Sequence, residues 1–248
     1  MIVLVLLQLS ACTSLVLAPL DVSTETGVVK KTPWTLASTG GDNALAWQHF
    51  KLPGKLPSQF NPVRDGGREA MEATAQSSAS MLRQVVSIYP ADLGSVKFSW
   101  KVPELIAQAD MAMRDRDDSP VRIVLAFDGD RSSFSAKNSM LSELAKLLTG
   151  EELPYATLMY VWCNKSVPGS VIENPRTDRI RKLVVESGSS GLNQWLDYER
   201  TIRTDFEKAF GEAPGKLMSI AIMTDTDNTK SFARAWYGTV SLLPVAGK

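Results

Sequence analysis

VKFSWKV, residues 96–102, alternates apolar and polar side chains without a break. Val96, Phe98, Trp100 and Val102 fall on one face of an extended chain, and Lys97, Ser99 and Lys101 on the other, because successive side chains of a strand point to opposite faces. That is a strand with one face on a core and one toward water. VRIVLAF (121–127) puts Val121, Ile123, Leu125 and Phe127 on one face, but Val124 and Ala126 make the other largely apolar too, as in a more central strand. MLRQVVSIY (81–89), YATLMYVWC (155–163), RKLVVES (181–187), KLMSIAIM (216–223) and ARAWYGTVSLL (233–243) are further runs rich in β-branched and aromatic residues, bounded by Gly, Pro, Asn or Asp. Roughly seven strands at irregular spacing predict an all-β chain, an antiparallel β-sandwich of jelly-roll type.

Two stretches break that rhythm and are predicted to be helical insertions. In NSMLSELAKLLTG (138–150), Met140, Leu141, Leu144, Leu147 and Leu148 fall on one apolar stripe, with Asn138 or Ser139 as the cap at the start and Gly150 at the end. In NQWLDYERTIRTDFEKAFGEAP (193–214), Trp195, Tyr198, Ile202, Phe206 and Phe210 follow three- and four-residue steps, and Gly211 with Pro214 stops the run. Strand and helix do not alternate along the whole chain, which argues against a doubly wound parallel fold.

The N-terminus points to export. MIVLVLLQLSAC is an apolar run ending in Leu9, Ser10, Ala11 and Cys12, the pattern of a bacterial lipobox, although no Lys or Arg precedes the apolar stretch. The expected organisation is a signal peptide over 1–11, a lipidated tether over 12–32 and a single β-sandwich domain over 33–248. Cys12 would carry the lipid that anchors the chain to a membrane. The apolar run is short of the roughly 20 residues that a spanning helix needs. Thr13 stands where an Asp would favour retention in the inner membrane, so the expected address is the periplasmic side of the outer membrane. The second cysteine, Cys163, ends an apolar strand and reads as a small buried hydrophobe, so no disulfide framework is available.

Lys and Arg number 27 and so do Asp and Glu. A formal net charge of zero argues against a nucleic-acid partner. TDTDNT (224–229) places Asp225, Asp227 and Asn228 in one loop after an apolar strand, and three oxygen ligands so close together suit a hard cation such as Ca²⁺. The same residues can instead shape a turn through bonds to nearby backbone N–H groups. No Gly stands at the sixth position counted from Asp225, so this is not an EF-hand. RDRDDSPVR (114–122) offers Asp118 and Arg122 as ligand-binding candidates, within a mixture of signs that also makes a self-compensating turn. Tyr160, Trp162 and Trp236 are the aromatic candidates for a glycan platform, with Trp34, Trp47 and Trp195 near loops or helix starts. His49 is the only histidine, which excludes a multi-histidine zinc site and leaves any Ser or Cys nucleophile with a single base to depend on.

Seven marks, in this order, resemble the bacterial family known as domain of unknown function 3047: SSAS (77–80), FSWKV (98–102), DDSPVRIVLAF (117–127), LPYATLMYVW (153–162), ENPRTDRIRKLVVESG (173–188), DFEKAFGEAP (205–214) and IAIMTDTDNTKSFARAWYG (220–238). YERTI, with Arg200, departs from that pattern. The resemblance implies an exported, β-rich protein similar to jelly-roll modules, with no agreed activity, and its marks fall on Asp118, Arg122, Asp225, Asp227 and Asn228. The expected function is a non-catalytic envelope lipoprotein that binds a glycan or other cell-envelope ligand. The alternatives are a polysaccharide hydrolase or lyase using loop carboxylates such as Asp118, Asp225 or Asp227, and a structural scaffold.

Overall fold

The computed structural model describes residues 47–245. The signal peptide, Cys12, the tether and Trp34 lie outside the described residues. Thirteen strands form two sheets: β1 (Gln48–Lys51), β2 (Gln59–Asp65), β3 (Arg68–Gln76), β4 (Ala79–Ile88), β5 (Ser95–Lys101), β6 (Ser119–Phe127), β7 (Ala156–Cys163), β8 (Val171–Asn174), β9 (Thr177–Ser187), β10 (Leu196–Thr201), β11 (Leu217–Asp225), β12 (Phe232–Tyr237) and β13 (Ser241–Leu243). One sheet has the order β1-β4-β11-β6-β7-β9-β8, and the other β10-β5-β12-β3-β2 with β13 also on β5.

Eight of these strands trace a jelly roll. In chain order β3, β5, β10 and β12 enter the six-stranded sheet and β4, β6, β7 and β11 the seven-stranded one, giving the spatial orders β3-β12-β5-β10 and β4-β11-β6-β7, which is two interleaved Greek keys. Four of the remaining five extend the edges, β1 on β4, β2 on β3, and β9 with β8 beyond β7, and β13 pairs with β5. The β7–β9 pair is parallel, and the other pairings among the described residues are antiparallel.

The alternation read in the sequence is what fills the space between the sheets. Val96, Phe98 and Trp100 point inward from β5, and Val121, Ile123, Leu125 and Phe127 from β6. Phe98 stacks on Tyr160 of β7 at 5.6 Å between ring centroids, and Trp100 lies 6.4 Å from Trp162. A register shift between Leu217 and Ser219 of β11 turns both Leu217 and Ile220 into the core, which strict alternation forbids.

Both expected helices are present, with different starts. The helix α1 (Ala136–Thr149) is capped by Ser135, whose side chain accepts from Asn138 N, and closed by Gly150 at φ 78°. It buries Asn138 and Ser142, while Met140, Leu144, Leu147 and Leu148 are exposed, so its apolar stripe faces away from the sandwich. The second helix, α2 (Ile202–Phe210), begins later than the sequence suggests. Leu196–Thr201 is strand β10, paired with β5 along its length, because the unpaired edge of β5 offers these residues a ladder of backbone hydrogen bonds.

Candidate metal centre and aromatic sheet face

The TDTDNT stretch leaves the end of β11 beside the start of β6. Thr224 still points inward, its hydroxyl bonded to the Pro120 carbonyl at 2.8 Å and 3.0 Å from the Tyr237 hydroxyl. Asp225 therefore points to the outer face. On β6, Pro120 carries no backbone N–H, and the β11–β6 register slips between Met223 and Asp225. That bulge aims two donors at one carboxylate. Ser119 N reaches Asp225 Oδ1 at 3.1 Å, and the Arg122 guanidinium grips both oxygens, at 2.9 and 3.1 Å.

Around this pair the loop ends converge. Arg122 also donates to the Asp117 carbonyl at 2.8 Å and to its carboxylate at 3.2 Å. Lys182 of β9, with no exposed surface, donates to the same carboxylate at 2.6 Å and to the Met111 carbonyl at 2.8 Å. Asp118 accepts from Asn228 N at 3.1 Å and from the Thr229 N and hydroxyl at 2.7 and 2.6 Å. Asp227 is paired with Lys55. One carboxylate oxygen from each of Asp118, Asp225 and Asp227 lies within 4.8 Å of the others, and all three residues are buried.

Four carboxylates, those of Asp117, Asp118, Asp225 and Asp227, thus meet three cations, Arg122, Lys182 and Lys55. Burial, supported by Asp118 and Asp117, outweighs Arg122 and raises Asp225 to about 7. Burial lowers Lys182 to about 8, assisted by Arg122 and opposed by Asp117. Burial works against charge on Arg122 also, but Asp225 and Asp117 raise its pKa and hold it protonated. Three buried oxygen ligands with an excess of negative charge can hold a hard metal ion. The Asn228 side chain is turned away, its amide donating to the Arg114 carbonyl at 2.9 Å.

The outer face of the six-stranded sheet carries the aromatic candidates that reach the surface. Trp236 of β12 stands opposite Lys101 on β5 and Glu72 on β3, with the Lys101 ammonium 4.9 Å and the Arg234 guanidinium 5.1 Å from its ring centroid. Trp195 donates its indole N–H to Asp65 at 2.8 Å, and Lys101 donates to the same carboxylate at 2.7 and 2.9 Å. Arg68 lies 5.3 Å over Trp195 and binds Asp197 with two bonds of 2.8 and 3.1 Å. Lys101, ahead of burial, keeps Asp65 below the usual carboxylate range.

The fold therefore brings together Asp118, Arg122, Asp225 and Asp227, whereas Asn228, expected as a ligand, offers them its backbone N–H and not its side chain, and Trp236 lies on another face. Tyr160 and Trp162 call for a correction. Both rings have 0% exposure in the intersheet core, because their strand places even-numbered residues inward, so a ligand on the surface does not reach them. Lys182 and Asn174, which donates to Asp117 at 3.0 Å, were not picked out by sequence. For Lys182 a signal was available, a charged residue inside an apolar strand run. His49 sits apart, bonded to Ser80 at 2.8 Å and edge-on to Phe60, and Cys163 is buried and free. A cleft of 440 Å³ between the start of α1 and the β8–β9 turn holds Glu173 and Asp178, which are tied to Arg181 at 2.7 Å and to Asn138 at 2.7 Å.

The family described as protein of unknown function (DUF3047) matches residues 45–241. No curated protein matches. Solved structures are also similar at low identity, among them the following two. One comes from work on "CBM4 structure and function", with 10% identity, 82% of this chain and 90% of that chain covered, and a TM-score of 0.38. The other is the xyloglucanase domain of NopAA, a type three effector from Sinorhizobium fredii, in complex with cellobiose, with 9% identity, 80% and 96% covered and a TM-score of 0.37.

Proposed function

We propose that this chain, which belongs to the family of proteins of unknown function DUF3047, is a non-catalytic module that binds a glycan or another ligand of the cell envelope. The observation that carries this reading is the outer face of the six-stranded sheet, where Trp236 and Trp195 stand half-exposed among Asp65, Glu72, Lys101 and Arg234. A pyranose ring offers a C–H face that packs on an indole and a rim of hydroxyls that bonds to carboxylates and amines. Apolar surface joined to a few placed polar groups is what such recognition needs. The strands and the Asp65 bonds hold the face in one geometry before any ligand arrives.

Retardation of the protein in native gels containing purified envelope polysaccharides tests the reading, together with a glycan array. Trp236→Ala and Trp195→Ala should each weaken binding by about tenfold, the loss of a contact worth about 1.4 kcal/mol, with unchanged melting temperature. Equal retardation of both variants, or none for the native protein on any glycan, sinks it.

Two further parts belong to the same proposal. Asp118, Asp225 and Asp227 hold Ca²⁺ as a structural ion that ties the β11–β12 loop to the start of β6, and Cys12 carries a lipid that places the module at the periplasmic face of the outer membrane. The hydrolase or lyase alternative draws no support from the acids described. Asp118 is held by backbone amides, Asp225 by Arg122 and Asp227 by Lys55, whereas glycoside hydrolysis needs two carboxylates facing each other across a cleft.

A further inference from the structure

Helix α1 is amphipathic the wrong way round for a helix that packs on a sheet. Met140, Leu144, Leu147 and Leu148 are exposed by 63%, 51%, 84% and 60%. At 3.6 residues per turn they share about a third of the helix circumference. The opposite side, with Asn138 and Ser142, is the one that is buried. That side is held by polar bonds, since Asn138 donates to Asp178 at 2.7 Å and accepts from the Thr177 hydroxyl at 2.8 Å. The leucine stripe is thus built into the fold facing outward, and an exposed apolar patch of this kind marks an interaction surface.

We propose that this stripe docks into the surface of a lipid bilayer, with α1 lying in the plane of the headgroups. The inference rests on the reading that Cys12 carries a lipid. What selects the bilayer is where the leading part of the chain joins the fold. Gln48, at the start of β1, pairs with Arg83 of β4, and Arg83 binds Glu151 through two bonds of 2.6 and 2.8 Å. Glu151 follows directly on Gly150, the cap of α1. The described residues therefore begin, at β1, beside the end of α1 that carries Leu147 and Leu148. An anchor pulling on that entry point presents this side of the molecule to the membrane. Lys137 and Lys146 on the same helix, the second paired with Glu152 at 2.9 Å, suit a headgroup layer. A second copy of the chain is the weaker occupant, because one helix face packed on its own copy falls short of the roughly 1,200 Å² of a stable protein interface, whereas a bilayer accepts an apolar stripe without a matching surface.

The test uses the full lipidated chain with Leu147→Cys, labelled with a polarity-sensitive fluorophore and mixed with vesicles of phosphatidylethanolamine and phosphatidylglycerol. In the lipidated chain the Cys12 sulfur is blocked by its diacylglyceryl group and Cys163 is buried, so the label has one site. Phe232→Cys, exposed on the six-stranded sheet, is the control. The expected result is a blue shift of the label at 147 and its several-fold quenching by lipids brominated in the acyl chains, with the label at 232 unaffected. A chain that floats with vesicles while the label at 147 stays in water overturns the helix inference and leaves the anchor intact. A chain that does not float overturns both. A blue shift already present without vesicles, with twice the mass in solution, assigns the stripe to a second copy and likewise overturns the bilayer.

Discussion

Asp225 sits where burial and neighbouring carboxylates act in the same direction. Its ordinary pKa of 3.8 is raised to about 7, so between those values the folded protein holds a proton that the unfolded chain has released. The contribution of this group to stability is therefore present at low pH and is lost as pH rises through about 7. In protein freed of cations by chelation, the melting temperature of the native chain minus that of Asp225→Asn should fall between pH 5 and pH 8; a difference that grows with pH would contradict a raised carboxyl. Lys182 gives a second prediction. With 0% of its side chain exposed and Asp117 at 2.6 Å, Lys182→Met leaves a largely buried carboxylate with Arg122 and Asn174 but without its shortest ion pair, and should cost about 3 kcal/mol in urea denaturation. Adding Asp117→Asn should recover most of the loss. The acids were legible in the sequence because TDTDNT and DDSPVR announce themselves as dense oxygen donors. Their meeting was not, since it depends on β6 and β11 becoming neighbours across 100 residues of chain, and neither Lys182 nor Asn174 lies near either motif.

Among the elements, β5 and β6 could be read directly because their period of two coincides with a core on one side. β10 could not. Tyr198 satisfies both a helical step from Trp195 and an alternating step from Leu196, and the tie is broken only by the hydrogen-bonding edge of β5. The exposure of the α1 stripe was equally hidden, because a pattern of leucines states that a helix has an apolar face and does not state what that face meets. The inverted helix makes a sharp expectation at this scale. Leu147→Lys should change stability by no more than about 0.5 kcal/mol, whereas Asn138→Ala, which strips two bonds from a buried polar contact, should cost roughly 1–3 kcal/mol. Thermal melts followed by circular dichroism decide between this and the ordinary arrangement, in which the leucine would be the sensitive position.

At the scale of the whole molecule the jelly roll explains why the acidic triad of Asp118, Asp225 and Asp227 sits where it does. Interleaved Greek keys put β6 between β7 and β11, so the loop before β6 and the loop after β11 close over the same end of the sandwich. A cation there would clamp two loops that are distant in the chain. Chelation with EDTA should lower the melting temperature and Ca²⁺ restore it by roughly 5–10 °C when the ion is far above its dissociation constant. Asp227→Asn should abolish that response. Identical melts with and without the ion would return TDTDNT to a turn held by its own side chains. The class of fold was legible from strand periodicity alone, while the strand order was not, because runs of alternating residues carry no record of which neighbour each will choose.

Trp47 gives the molecule a mechanical property. It is the first described residue, and it is 1% exposed within the main core, immediately before the four-residue edge strand β1. Among the described residues, tension applied at Trp47 meets this indole before it meets the hydrogen-bond ladder of β1. A short edge strand by itself would peel away one pair at a time under modest force. The plugged ring instead transmits the pull into the intersheet packing, so the module should yield as one unit in a force-extension experiment, and Trp47→Ala should introduce an early, low-force step.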